Sequence, residues 1–166
     1  MTMDALTLSV LLATCAPQVH PRTASALIMV ESARNPHAIG VVGGALYRQP
    51  SSRQEAAATA RALSTEGWNF SIGLAQISSR NFTRLGLTID SALEPCTNLG
   101  AMQTILADCF DRAGAANRTH ASRLRDALSC YYSGNFVTGF AHGYVRRVVR
   151  AASTPPTTLH PKKESS

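Results

Sequence analysis

At 166 residues, 45% hydrophobic and 16% charged, the chain has the length of one domain with a single core. Its net charge of +6 favours polyanionic surfaces, but its fourteen arginines and two lysines are spread out, with close arginine pairs only at Arg123/Arg125 and Arg146/Arg147. The absence of a basic stripe interleaved with aromatics argues against nucleic-acid binding, and Cys15, Cys96, Cys109 and Cys130 form no motif of zinc spacing, which argues against a metal centre.

Alanine-rich periodic segments outnumber strand-like runs, so the expected class is all-α. A first helix ends near Cys15, with Leu6, Val10 and Leu11 expected on its apolar face. Its apolar run is too short to span a bilayer and lacks a basic leader, so no export signal is evident there. A second helix opens at Pro21 and is stopped by Asn35-Pro36. Within it Ala24, Leu27, Ile28 and Glu31 recur at three- and four-residue spacing, which sets Glu31 on the face to be buried, close to the helix end. Residues 38–44 read as a glycine-punctuated loop that lets backbone approach a ligand.

Ser52-Arg-Gln-Glu55 reads as a capping box opening a helix to about Glu66, with Gly67 as its stop. A short helix is expected from Ser79 to Leu85, ended by Gly86. Thr97 or Asn98 opens the next, with Leu99, Met102, Ile105, Leu106, Cys109 and Phe110 as its stripe. Ser122 to Tyr132 is helical again, and a last helix holds Tyr144, Val145, Val148 and Val149. The expected domain covers residues 1–152. Residues 153–166, rich in proline, threonine and lysine, are expected to form a disordered tail.

Three segments carry groups suited to one site. Glu31 offers an acid, because burial without a cation raises a carboxyl pKa and keeps its proton available near neutrality. Gly73-Leu-Ala-Gln76 offers a glycine for close backbone approach and an amide that both donates and accepts. Ser129-Cys-Tyr-Tyr-Ser-Gly-Asn135 offers two phenols, hydroxyls and an amide at a helix end, which suits a sugar with apolar C–H faces and many hydroxyls.

Glu31-Ser32, Gly-Leu-Ala-Gln-Ile at 73–77, Tyr-Tyr-Ser-Gly-Asn at 131–135 and Gly143-Tyr144-Val145 resemble, in order, the motifs of the soluble lytic transglycosylases. The resemblance spans about residues 15–149 and implies a lysozyme-like fold shared with goose-type lysozyme. Asn35 to Gly44, Gly67-Trp-Asn-Phe-Ser71 and Cys130 to Phe136 are further similar to the transglycosylase component of bacterial type IV secretion systems. This implies Glu31 as the acid/base, with Ser32 and Gln76 orienting it or the N-acetyl group. Tyr131 and Tyr144 would line the cleft, and Gly73, Tyr132 and Asn135 join the implied substrate-binding set. The chain departs from the general family at Tyr132, where asparagine is usual, and at Ser32-Ala33-Arg34, which replaces Ser-Gly-Phe. The implied substrate is the glycan strand of peptidoglycan, met in the periplasm by a monomer, with secretion-system components as partners and no cofactor. The rivals are a hydrolytic muramidase and a non-catalytic glycan-binding or scaffold module.

An even cysteine count fits two disulfides and an oxidising compartment. Cys96 and Cys109 sit at opposite ends of one predicted helix, about 20 Å apart, beyond the roughly 7 Å a disulfide allows. That leaves 15–96 with 109–130, which is favoured, or 15–109 with 96–130. Of the ten acidic residues, Asp4, Glu55, Glu66 and Glu164 are assigned to termini and helix caps, and Asp108, Asp111 and Asp126 to polar helix faces. Asp90 and Glu94 remain as the only rivals for a second catalytic carboxylate.

Overall fold

The computed structural model describes residues 1–114 and 118–154. Nine helices and three short strands follow in the described chain: α1 (Ala5–Cys15), α2 (Pro21–Ser32), β1 (Ile39–Val41), α3 (Arg53–Thr65), β2 (Phe70–Ile72) and β3 (Ile77–Ser78), then a 3-10 turn (Ser79–Asn81), α4 (Phe82–Leu85), α5 (Ile89–Ala92), α6 (Pro95–Arg112), α7 (His120–Ser133), α8 (Thr138–Ala141) and α9 (Tyr144–Ser153). None of the described helices is long and apolar enough to cross a membrane. Residue 153 still belongs to α9, while residues 155–166 of the expected tail lie outside the described residues.

The mainly helical class holds, with one addition. Residues expected as loop form an antiparallel sheet in the order β1-β2-β3, pairing Ile39 with Ile72, Val41 with Phe70, and Ile72 with Ile77. Strands this short leave almost no period in the sequence. Phe70 and Ile72 are nevertheless buried on one face, while Ser71 between them lines a cleft on the other. The Gly73–Gln76 motif is the hairpin loop between β2 and β3. Ile39, Phe70 and Ile72 pack with Ala56, Ala57 and Ala60 of α3 into a small core, and α1, α2, α6, α7 and α9 surround a larger one.

Several local expectations change. In α1 the buried residues are Leu8 and Leu12, while Leu6 is 81% and Val10 66% exposed. The helix is apolar nearly all round, so periodicity could not choose a face. Its rotation follows from Leu8, Leu12 and Cys15, which share one side and meet α6 through the Cys15–Cys96 bridge. Helix α6 opens at Pro95 rather than at Thr97 or Asn98, because the Glu94 carboxylate accepts from the Cys96 and Thr97 amides and caps it. The box at Ser52 is half formed. Ser52 accepts from the Glu55 amide, but the Glu55 carboxylate turns to Ser51 and Arg48. Asp126 is buried and paired with Arg118 rather than lying on a polar face.

The disulfides are Cys15–Cys96 and Cys109–Cys130, with Cα separations of 5.2 and 5.7 Å. They fasten both ends of α6, the first to α1 and the second to α7. Closing loops of 81 and 21 residues removes unfolded-state entropy equivalent to about 4.5 and 3 kcal/mol in the chain-entropy model. Peptide mapping without reductant should recover these two pairs, and opening the first should destabilise the protein more than opening the second. A Cys96–Cys109 peptide would overturn the assignment.

Helix α2 ends with Ala33 and Arg34 at φ +50° and +66°, both left-handed and neither glycine. Alanine there carries a Cβ clash that glycine lacks. Ala33→Gly should therefore raise stability by about 1 kcal/mol in denaturant unfolding. A loss of stability would show that the left-handed turn is not strained.

Candidate active site

Helix α2 packs against α9, and that contact brings Glu31, in the last turn of α2, to Tyr144, the first residue of α9. The Tyr144 hydroxyl donates to Glu31 Oε1 at 2.5 Å. Glu31 is half-buried, its carboxyl group being the more enclosed part. Desolvation raises its pKa, the Tyr144 bond and the Arg147 charge lower it, and the balance stands at about 7. Loss of hydration therefore outweighs both stabilising contacts. The same burial, with the nearby Glu31 charge, raises the pKa values of Tyr144 and Tyr131 far above the usual phenol range, so both remain donors.

Glu31 opens into a cleft of about 410 Å³ between the sheet and the helical bundle, whose other walls include Ser71, Gln76, Tyr131, Tyr132 and His142. Glu31 is its only carboxylate among the described residues. Asp90 is paired with Arg61 at 2.6 Å and Glu94 caps α6, so both former rivals are occupied outside this cleft. Among the described residues no group of three His, Cys, Asp or Glu is arranged to hold a metal.

Five of the eight expected site residues come together here: Glu31, Gln76, Tyr131, Tyr132 and Tyr144. The Gln76 amide donates to the Ala38 and Gly73 carbonyls at 3.0 Å each, which presents its oxygen beside Gly40. Tyr131 donates to the Ala75 carbonyl at 2.7 Å and so ties α7 to the hairpin loop. Tyr132 stacks on Tyr144 with ring centroids 4.6 Å apart, and its hydroxyl meets His142 Nδ1 at 3.2 Å.

The other three do not line the cleft and make contacts within the scaffold. The Ser32 hydroxyl donates to the Ile28 carbonyl one turn back. Gly73 adopts φ +81° and makes room for Asn98, whose amide a Cβ would overlap. The Asn135 side chain accepts from the Val137 and Thr138 amides and shapes the entry to α8, which carries Thr138 to the cleft wall.

Sequence reasoning missed His142, Arg147 and the positioning role of Asn98. No pattern marks the first two. Asn98 stands four and seven residues before Met102 and Ile105, which sets it on the buried stripe. That spacing was the available signal.

The raised Glu31 pKa fixes the sign of a pH effect. The folded state binds the Glu31 proton more tightly than the unfolded chain, so the contribution of Glu31 to stability is greatest below about pH 4.5 and is lost as pH rises through 7. The total is about 3 kcal/mol. Glu31→Gln lacks this penalty. It should match the wild type near pH 4.5 and exceed it by about 2–3 kcal/mol at pH 8 in denaturant unfolding. A constant gap across that range would mean that the carboxyl is not titrating near neutrality.

Compared with known protein families, residues 10–151 match the one described as Transglycosylase SLT domain. The "Type IV secretion system protein virB1" of Brucella abortus is 46% identical over 155 residues, covering 89% of this chain and 65% of that protein. "Protein virB1" of Agrobacterium fabrum is 39% identical over 154 residues, 90% of this chain and 62% of the relative, and that of Rhizobium radiobacter is 37% identical over 153 residues, 90% and 63%. The chain thus spans a little under two thirds of the length of these relatives. No solved structure matches. With a matched segment that runs from α1 to α9 and encloses the whole Glu31 cleft, the chain belongs to the SLT transglycosylase-domain family.

Proposed function

We propose that the protein is a peptidoglycan lytic transglycosylase. It cleaves the β-1,4 bond between N-acetylmuramic acid and N-acetylglucosamine and leaves a 1,6-anhydromuramyl end. The observation that carries this reading is the single carboxyl group of the cleft among the described residues, protonated to about pH 7. A retaining hydrolase needs a second carboxylate about 5 Å from the acid, and an inverting one needs it about 6.5–9.5 Å away. With one carboxyl group, the substrate supplies the nucleophile.

Protonated Glu31 donates its proton to the leaving glycosidic oxygen as the bond to the muramic C1 breaks. The muramic N-acetyl group stabilises the developing cation, with the Gln76 amide fixed at the cleft wall to orient it. Glu31, now a carboxylate, takes the proton from the 6-hydroxyl of the same sugar, whose oxygen closes onto C1. The attack is intramolecular and has the high effective concentration of such reactions. Glu31 ends protonated again, so the cycle closes without water. Tyr144 holds the carboxyl in place through both proton transfers, donating throughout because its own proton is so firmly bound.

The relatives named for type IV secretion support a local role, opening the wall where a secretion apparatus crosses the periplasm. The two disulfides fit an oxidising compartment of that kind.

Glu31→Gln keeps the shape of the side chain but removes the transferable proton, so release of soluble fragments from purified peptidoglycan should fall about 10²–10⁴-fold. Mass spectrometry of wild-type fragments should show muramic ends lighter by one water than hydrolysed ends. Reducing muramic ends as the main product would make the enzyme a muramidase, and undiminished activity of a folded Glu31→Gln protein would remove Glu31 from the chemistry.

A further inference from the structure

The Glu31 cleft does not end at its own walls. Val42, Ser71, Ser78, Ile105, Tyr131 and Tyr132 also line a second groove of about 780 Å³, so the two are continuous and the extension is the larger. Among the described residues the cleft holds one carboxyl group and no lysine or arginine, whereas the groove is lined by Arg80, Arg84, Arg112, Asp108 and Asp111. A neutral sugar strand needs hydroxyl and aromatic partners, and charged groups offer it little.

Three of these five charges are already engaged. Arg84 and Asp108 pair at 2.6 Å. Arg112 donates to the Gly134 carbonyl at 3.3 Å and to the Cys130 sulfur, and lies over the Phe136 ring. Two remain available. Arg80 commits only its Nε, to Asn69 Oδ1 at 3.1 Å, and its terminal guanidinium nitrogens have no hydrogen-bond or ion-pair partner among the described residues. Asp111 likewise has no ion pair or side-chain hydrogen bond among the described residues. Arg80 comes from the turn after β3 and Asp111 from the last part of α6, so opposite charges are offered from the sheet side and from the bundle.

We propose that this groove is a subsite for a charged peptide side chain carried on the sugar strand, with Arg80 binding a peptide carboxylate and Asp111 a peptide amino group. The inference rests on the peptidoglycan reading, because the lactyl group of muramic acid bears such a peptide, rich in carboxylates and carrying one amine at its diamino acid. A planar guanidinium with both terminal nitrogens available suits a carboxylate in a two-point contact. A groove offering both signs favours a zwitterionic peptide over a simple polyanion. Strands that keep their peptides should then bind better than strands stripped to bare glycan.

The test uses the folded Glu31→Gln protein, which keeps the ligand intact, and two probes: peptidoglycan oligosaccharides bearing their peptides, and the same oligosaccharides stripped by an amidase, with the lactyl carboxylate so exposed capped as a neutral methylamide. Peptide-bearing strands should bind about three- to tenfold more tightly, as expected for partly exposed charge pairs, and the advantage should shrink as salt rises. Adding Arg80→Gln should abolish that advantage and leave affinity for stripped strands unchanged, and Asp111→Asn should reduce it. Equal affinity of the parent for both probes would overturn the subsite while leaving the glycan reading intact. So would an Arg80→Gln loss that is the same for both probes, because Arg80 would then serve the sugar or the fold. Failure to bind either probe would overturn the peptidoglycan reading and the subsite with it.

Discussion

The buried Asn98 side chain holds the two cores of this protein together. Its oxygen accepts from the Ala75 amide at 2.8 Å, and its amide donates to the Ile72 and Ala92 carbonyls at 3.0 and 2.7 Å. One polar group in the apolar stripe of α6 thus satisfies three backbone groups, from the end of β2, the hairpin loop and α5. Leaving any of them buried and unpaired would cost about 1–3 kcal/mol. The constraint runs outwards from there. Gly73 must lack a side chain so that Asn98 fits, and the loop so fixed presents the Ala75 carbonyl to Tyr131 and sets Gln76, at φ +49°, in the cleft wall.

Glu31 is held by the opposite strategy. Asn98 is buried with every hydrogen-bonding group matched, whereas Glu31 is enclosed with one donor among the described residues, Tyr144, and a partial field from exposed Arg147. A second donor or a closer cation would keep the carboxylate charged at neutral pH. The environment is therefore incomplete in a particular way: enough contact to fix the side chain, too little to ionise it well below neutrality. Tyr132, stacked on Tyr144 and tied to His142, restrains the ring that makes this one contact.

Most helices were legible because each has a local sign. Pro21, Ser52 and Gly86 mark starts and stops where the helices begin and end. The buried face of α2 followed from its 3.6-residue period, and with it the placement of Glu31. The length of α6 excluded a Cys96–Cys109 bridge and left two pairings, of which the favoured one is formed. The strands were not legible, because two or three residues carry no period and their pairing is decided by contacts distant in sequence. The α1 face was misread for a related reason: where nearly every position is apolar, a distant partner, Cys96, sets the rotation. At the cleft, five motif residues were legible and His142 and Arg147 were not, because a lone polar residue meets its neighbours only once α8 and α9 are folded beside α2.

The end of α2 shows how local strain and function meet. Glu31 can reach Tyr144 only if the helix extends to Ser32, yet the chain must then turn sharply to start β1 seven residues later. Two consecutive left-handed residues, Ala33 and Arg34, make that turn, and the Arg34 carbonyl is tied back to the Met3 amide at 2.8 Å. The Asn35 side chain then accepts from the His37 amide and leads the chain into the strand. Strain of this kind persists only where surrounding contacts overdetermine the backbone. Here the constraint is supplied by burial of Ala24, Leu27 and Ile28 on one side of the turn and by the β1–β2 pairing on the other. The carboxyl group therefore sits on the last rigid turn before a forced reversal. That position gives it a fixed direction from the helix and, because the chain turns away at once, an open side towards the cleft.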